Sequence, residues 1–203
     1  MAQLLLHLAD FKEKDWARGF EAALPGHRVV LRGDDYDPAA IDYIFTWRPG
    51  RDAFDGLTNL KAVLSLGAGV DALLRHPGLP DRPIVRFIDE DMTQRMSDYV
   101  LANVTMHQRL FLRFKEDRDA KRWVQFYPLP AWDTCVGIMG LGVLGLDAIR
   151  HLRVFGYGLR GWSRSSKEID GVETFAGPDE FDAFLAGTDI LVNLLPLTAE
   201  TEG

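Results

Sequence analysis

Three glycines are spaced as in a loop that binds phosphate groups: Gly140, Gly142 and Gly145, within the segment GLGVLG. The first would permit a tight turn, the second would let a phosphate group approach the backbone, and the third would let a helix pack closely on a strand. The start of such a helix offers unpaired N–H groups and a positive dipole end to an anion. The spacing predicts a dinucleotide site rather than a purely structural turn. Its residues are Gly140, Leu141, Gly142, Val143, Leu144 and Gly145.

The elements on either side of the loop fit this interpretation. The apolar run Cys135–Met139 has the length and composition of a strand buried on both faces. After the loop, Gly145, Ile149 and Leu152 recur at the i, i+4 and i+7 spacing of one helix face. A strand before the glycines and a helix after them are the context that this otherwise weak motif requires.

The second predicted strand of this part of the chain, from Leu159 to Ser163, ends in hydroxyl and basic residues. An NAD-binding fold usually carries a carboxylate about 20 residues past the glycines, where it binds the ribose 2′-hydroxyl. Here Ser163, Arg164 and Ser165 occupy that place, and such side chains can bind a 2′-phosphate. The sequence predicts a preference for NADP(H), with these three residues as contacts; the alternative is a solvated turn with incidental basic residues.

A helix from Pro178 and a third buried strand, Asp189 to Leu195, complete a β-α-β-α-β order. Leu195 and Pro196 leave this strand at the carboxyl edge, where contact with the cofactor is expected. If the three strands occupy positions 3, 2 and 1 of a Rossmann sheet, then strand 1 has an open apolar edge. Because native proteins avoid such edges, this arrangement predicts that the polypeptide continues past Gly203 or that a partner covers the edge.

The first hundred residues alternate strands with helical pieces, which predicts an α/β unit with a mainly parallel sheet. A helix is expected over Asp15 to Leu24. The five predicted strands run over Gln3 to Leu8, Arg28 to Leu31, Asp42 to Trp47, Leu60 to Leu66 and Ile84 to Phe87.

The fourth of these strands runs into a second glycine-containing loop, SLGAGVD at positions 65–71. Its residues Ala68, Gly69 and Val70 are candidates to bind a carboxylate, through the backbone N–H groups of the last two. A plain turn with Asp71 capping the next helix explains the pattern equally well. Trp47 ends the neighbouring strand and either walls the same cleft or is a core aromatic residue.

One long helix is predicted from Met96 to Trp123, with His107 as a packing residue on its apolar stripe. The domain boundary is placed near residue 99. This gives a substrate domain over residues 1–99 and a dinucleotide-binding domain over residues 100–203.

Charge and composition exclude some classes of partner. The net charge of −7 and the lack of a basic tract argue against nucleic acid. The apolar N-terminus is too short for a membrane span or signal peptide. The single Cys135 fits a reducing compartment, so a cytoplasmic location is expected, and the sequence offers no metal-ligand cluster.

The motifs together resemble the D-isomer-specific 2-hydroxyacid dehydrogenase family, and within it the bacterial glyoxylate/hydroxypyruvate reductases. They are SLGAGVD at 65–71, GLGVLG at 140–145, GWSRSSK at 161–167 and NLLPLTAET at 193–201. The resemblance implies an α/β protein with a flavodoxin-like substrate domain followed by the first half of a Rossmann dinucleotide-binding domain. It also implies hydride transfer from NADPH to a small 2-oxo acid, such as glyoxylate or hydroxypyruvate, and a homodimer.

In that family the catalytic Arg, Glu and His lie downstream of the L-P-x-T segment, so no catalytic residue is assigned in this chain. None of its five histidines matches the family's acid/base position; they are His7, His27, His76, His107 and His151. A protein that binds a dinucleotide without chemistry, as a sensor or partner, is the alternative function.

Overall fold

The computed structural model describes residues 1–9 and 11–202. The chain divides into two compact units, Met1–Asp89 and Glu90–Gly203, which are described one at a time. Within the described ranges, no helix is long and apolar enough to cross a membrane.

The first unit is built on a sheet of five parallel strands: β1 (Gln3–Leu8), β2 (Arg28–Leu31), β3 (Tyr43–Trp47), β4 (Ala62–Ser65) and β5 (Ile84–Arg86). Their order across the sheet is β2-β1-β3-β4-β5. This is the flavodoxin-like order, so the flavodoxin-like fold predicted for the first part of the chain is confirmed. All five strands were predicted to within two residues at each end.

Both faces of this sheet are covered by apolar side chains. On one face, helix α1 (Glu13–Ala23) packs Trp16 and Phe20 on Phe45 of β3, with ring centroids 5.9 and 4.9 Å apart. On the other face, Leu5 lies in a cluster with Phe54 and other buried side chains. The short helix α2 (Asp71–Leu74) follows β4.

The second unit has a parallel sheet of four strands in the order β8-β7-β6-β9. These strands are β6 (Cys135–Met139), β7 (Gly158–Ser163), β8 (Glu173–Ala176) and β9 (Ile190–Asn193). The helices are α3 (Glu90–Gln108), α4 (Phe111–Asp119), α5 (Val143–Val154) and α6 (Phe181–Ala186). Helix α5 connects β6 to β7, as the glycine motif predicted.

The predicted strand order of this sheet was wrong at one position. The third predicted strand is β9, and it pairs with β6 on the side opposite to β7. The place beyond β7 is taken by β8, which the sequence did not reveal because its residues ETFA form no apolar run. Strand β6 therefore has a neighbour on both sides, and the open apolar edge expected for it does not exist.

The predicted long helix was also wrong in its limits. Helix α3 begins at Glu90, six residues before the predicted start. The predicted helix is interrupted at Leu110, whose left-handed backbone (φ 56°) separates α3 from α4. Val100 and Val104, which lie on the apolar stripe of the predicted helix, are buried, but His107 is exposed and is not a packing residue. The whole of α3 belongs to the second unit because it packs along α5. The predicted domain boundary near residue 99 lies inside this helix.

Candidate dinucleotide-binding site

The three glycines of the loop between β6 and α5 meet different steric demands. Gly140 has a φ of 98°, and a Cβ there would lie 2.9 Å from the carbonyl oxygen of Leu194. A Cβ at Gly145 would collide with the carbonyl oxygen of Gly140. Apart from its chain neighbours, no described residue has an atom within 4 Å of a Cβ built on Gly142. Two glycines are thus required by the fold itself, whereas Gly142 borders open space.

That open space adjoins unpaired backbone donors. Gly142 precedes α5, so Val143, Leu144 and Gly145 form the helix's first turn, whose N–H groups have no partner within the helix. Among the residues the structure describes, the N–H of Gly142 donates to none. Donors around a glycine with no side chain form a cradle that fits a pyrophosphate group.

The ends of β7 and β9 lie beside the loop. The N–H of Gly140 donates to the carbonyl of Trp162 (2.9 Å), and the N–H of Leu194 donates to the carbonyl of Met139 (2.9 Å). The nitrogen of Leu195 is 3.2 Å from a Cβ built on Gly140. The structure thus brings Leu195 to the loop. Pro196 follows and is exposed.

The three residues at the end of β7 differ in their surroundings. The Ser163 hydroxyl is buried and donates to the carbonyl of Ser165 (2.8 Å), so it shapes the turn. Arg164 is exposed, with its side chain 89% accessible and a guanidinium nitrogen 3.8 Å from a carboxylate oxygen of Glu200. Ser165 is also exposed. Arg164 and Ser165 are therefore open to a ligand from solvent.

Lys167 also contacts the glycine loop, although its sequence position alone does not show this. Its ammonium group donates to the carbonyl of Leu141, within the glycine loop, at 2.5 Å. Its own carbonyl accepts from the Thr174 hydroxyl on β8 at 2.6 Å. Lys167 lies in the basic segment that follows β7, residues 164–167, but the sequence pattern does not reveal which way its side chain points.

In the first unit, Trp47 and the second glycine-containing loop lie together at the carboxyl ends of β3 and β4. A Cβ at Gly67 would collide with the Trp47 ring, and the N–H of Gly67 donates to the Ser65 hydroxyl (3.2 Å). In the described part of the chain, the N–H groups of Gly69 and Val70 have no acceptor. Helix α2 begins without a side-chain cap, so the capping role suggested for Asp71 is not observed.

The same loop is held from β5: Arg86 donates to the carbonyl of Ala68 at 3.3 Å. Among the residues that the structure describes, the Nδ1 of the buried His7 of β1 has no hydrogen-bond partner. Burial, which disfavours the charged imidazolium, lowers the pKa of His7.

A parallel sheet with a glycine loop that leads from a strand into a helix defines a dinucleotide-binding fold. Residues 101–203 match the family model described as "D-isomer specific 2-hydroxyacid dehydrogenase, NAD binding domain". The chain belongs to the D-isomer specific 2-hydroxyacid dehydrogenase family, as the motifs predicted.

Among curated proteins, the chain is similar to glyoxylate/hydroxypyruvate reductase A from Yersinia enterocolitica. The two are 40% identical over 200 residues, which cover 95% of this chain and 63% of the relative. The protein of the same name from Serratia proteamaculans is 40% identical over 201 residues, with the same coverage. The chain thus spans about 63% of the length of these relatives.

Solved structures that are similar over the whole of this chain include the following two. One is a D-isomer specific 2-hydroxyacid dehydrogenase from Xanthobacter autotrophicus Py2 in complex with NADPH and MES, with a TM-score of 0.92, 39% identity and 66% of that chain covered. The other is the NADPH-dependent glyoxylate/hydroxypyruvate reductase from Sinorhizobium meliloti in complex with NADP and sulfate, with a TM-score of 0.89, 40% identity and 65% covered.

Proposed function

We propose that the protein formed by this chain reduces a small 2-oxo acid to the 2-hydroxy acid with NADPH. The observation that carries the proposal is the open space at Gly142, next to unpaired N–H groups and a strand end that carries Arg164 in place of an acid. The complexes of the two solved relatives with NADPH and NADP support the choice of cofactor.

The proposed cofactor contacts follow the geometry of the loop. The pyrophosphate accepts hydrogen bonds from the N–H groups of Gly142, Val143 and Leu144. Arg164 and Ser165 bind the 2′-phosphate with charge-assisted and hydroxyl hydrogen bonds. Leu195, with Pro196 after it, borders the same loop. When bound, NADPH supplies the hydride that reduces the carbonyl carbon of the substrate.

The proposed substrate contacts lie in the first unit. The unpaired N–H groups of Gly69 and Val70 bind the carboxylate of the oxo acid, while Ala68 and Trp47 wall its surroundings. Glyoxylate and hydroxypyruvate are the proposed substrates, because the relatives named above are reductases of these two acids. In this proposal, the first unit, Met1–Asp89, serves the substrate, and the second unit, from Glu90 onward, serves the cofactor.

We also propose a cytoplasmic homodimer. Residues 111–132, termed the aromatic arm, expose large side chains: Trp123 is 98% accessible, Tyr127 83% and Trp132 76%. Exposed aromatic residues clustered in one segment are typical of a protein interface. The single, unpaired Cys135 suits a reducing compartment.

Two measurements test the function. Fluorescence titration of the 203-residue chain with NADPH and NADH is expected to give tighter binding of NADPH. The second assay follows NADPH oxidation with glyoxylate or hydroxypyruvate, using the chain fused to the remaining part of the Yersinia relative. Turnover in the fusion supports the reductase. Tight NADPH binding with no turnover of either acid would favour a sensor, and failure to bind NADPH would overturn the proposal.

Arg164→Asp tests the cofactor preference. We expect NADPH affinity to fall by about tenfold or more, because a charge-assisted contact is replaced by repulsion, while NADH affinity is kept or improved. Arg18→Asp makes the same charge change on the exposed side of α1 and should affect neither. Equal affinities of the unaltered chain for NADPH and NADH would contradict the preference.

A further inference from the structure

The basic segment after β7 and the glycine loop are joined by one side chain. The Lys167 ammonium donates to the Leu141 carbonyl at 2.5 Å, although Arg164, three residues earlier, is almost fully exposed. The two cations of this segment therefore face different surroundings. The side chain of Arg164 is exposed to solvent, whereas that of Lys167 is hydrogen-bonded to the backbone of the glycine loop.

Both ends of this link are held in place. The Lys167 carbonyl accepts from the Thr174 hydroxyl at 2.6 Å. The Leu141 side chain is 1% accessible and lies over Gly161 of β7, where an added Cβ would come within 2.7 Å of it. Lys167 thus contacts β8 through its carbonyl and the loop residue Leu141 through its ammonium group. Because both partners are held in place, one geometry is favoured for the hydrogen bond between Lys167 and Leu141.

The link acts on the peptide group that presents the Gly142 donor. A trans peptide is planar, so the Leu141 carbonyl and the Gly142 N–H lie in one plane and point in opposite directions. A cation on the carbonyl fixes that plane and polarises the N–H on its far side. This N–H donates to no described residue, and it borders the open space at Gly142.

We propose that Lys167 is a positioning residue for the pyrophosphate: it holds the Leu141–Gly142 peptide so that the Gly142 N–H faces the phosphate. This inference rests on the proposed dinucleotide function and deepens it. It assigns different roles to two residues of the basic segment. Arg164 binds the 2′-phosphate, whereas Lys167 holds the N–H donor for the pyrophosphate, which NADPH and NADH share.

Lys167→Met removes the ammonium and keeps most of the side-chain volume. We expect the affinities for NADPH and NADH to fall by the same factor, about tenfold, because the pyrophosphate is common to both. ADP, which has a pyrophosphate but no 2′-phosphate, should be weakened similarly, whereas adenosine 2′-phosphate should bind as before. Arg164→Asp should give the reverse pattern with the two fragments, and Lys167→Arg should restore part of the lost affinity.

Lys14→Met, on the exposed side of α1, controls for the loss of one positive charge and should change no affinity. Thermal unfolding of each variant shows whether the fold is kept. A loss confined to NADPH and adenosine 2′-phosphate would overturn the positioning role and make Lys167 a direct 2′-phosphate ligand. Unchanged affinities in Lys167→Met would overturn it as well. If the unaltered chain binds neither dinucleotide, the proposed function itself fails.

Discussion

Each glycine of the dinucleotide loop has a separate physical role. The backbone of Gly140 leaves no room for a side chain at Gly145. At Gly140 itself, the positive φ and the nearby Leu194 backbone exclude a side chain. Gly142 has no such neighbour in the described part of the chain, and its φ of −86° is one that any residue adopts. Its lack of a side chain is thus not required for folding, and the function proposed for the loop explains it.

Substitution with alanine should separate these roles. We expect Gly142→Ala to keep the stability of the fold but to weaken NADPH binding, because the methyl group enters the space assigned to the phosphate. Gly145→Ala should lower the free energy of unfolding by about 1–3 kcal/mol, the usual cost of overpacking. Urea unfolding and NADPH titration of both variants make the test. An unstable Gly142→Ala, or one with full affinity, would contradict the assignment.

His7 supplies a pH dependence at the scale of one residue. Its native pKa is lowered from 6.5 by burial, so between 6.5 and that lowered value the unfolded chain binds a proton that the native chain does not. The contribution of His7 to the free energy of unfolding should therefore be fully present above pH 6.5 and be lost as the pH drops through this window. His7→Gln should flatten that part of the profile.

The measurement is urea unfolding at several values between about pH 7.5 and about pH 5. His107→Gln, at an exposed position, leaves His7 in place and should keep the slope. If His7→Gln and the unaltered chain lose stability equally on acidification, His7 is not the group responsible.

Among the elements, α5 is joined to α3 by a polar contact as well as by apolar packing. The Ser97 hydroxyl, 1% accessible, donates to the Asp147 carboxylate at 2.6 Å, and Arg150 pairs with the same carboxylate at 2.6 Å. Because α5 begins at the glycine loop, this contact fixes the helix that presents the loop's N–H groups.

Ser97→Ala should lower the free energy of unfolding by about 1.5–3 kcal/mol, the range for a hydrogen bond to a charged group. The control is a double-mutant cycle with Asp147→Asn. A non-additive pair would show that the two side chains act together. Additive effects would mean that the contact contributes nothing of its own.

For the whole molecule, the aromatic arm predicts association. Within the arm, Asp117 is buried and paired with Arg122 at 2.8 Å, and Phe126 packs on Phe114 with ring centroids 5.8 Å apart. The arm is thus ordered by its own contacts while Trp123 remains exposed. An ordered surface of this kind is suited to a second copy of the chain.

Sedimentation of the chain over a range of concentrations should give a dimer, and Trp123→Glu should shift it towards monomer by placing a charge in the interface. Val154→Glu, at a position 83% accessible outside the arm, should leave the dimer intact. A monomer at every concentration of the unaltered chain would exclude the arm as a self-association surface.

The amino-acid sequence alone determined the strands of the first unit, the glycine loop with its flanking strand and helix, and the family. Each of these is written in a short run of residues, such as the apolar stretch before Gly140. Only the tertiary structure decided that β8 takes the edge beside β7, that β9 pairs with β6, and that Lys167 reaches Leu141. Strand order and side-chain direction depend on which distant segments pack together, and for a short edge strand such as β8 the local pattern carries too little apolar signal to show it.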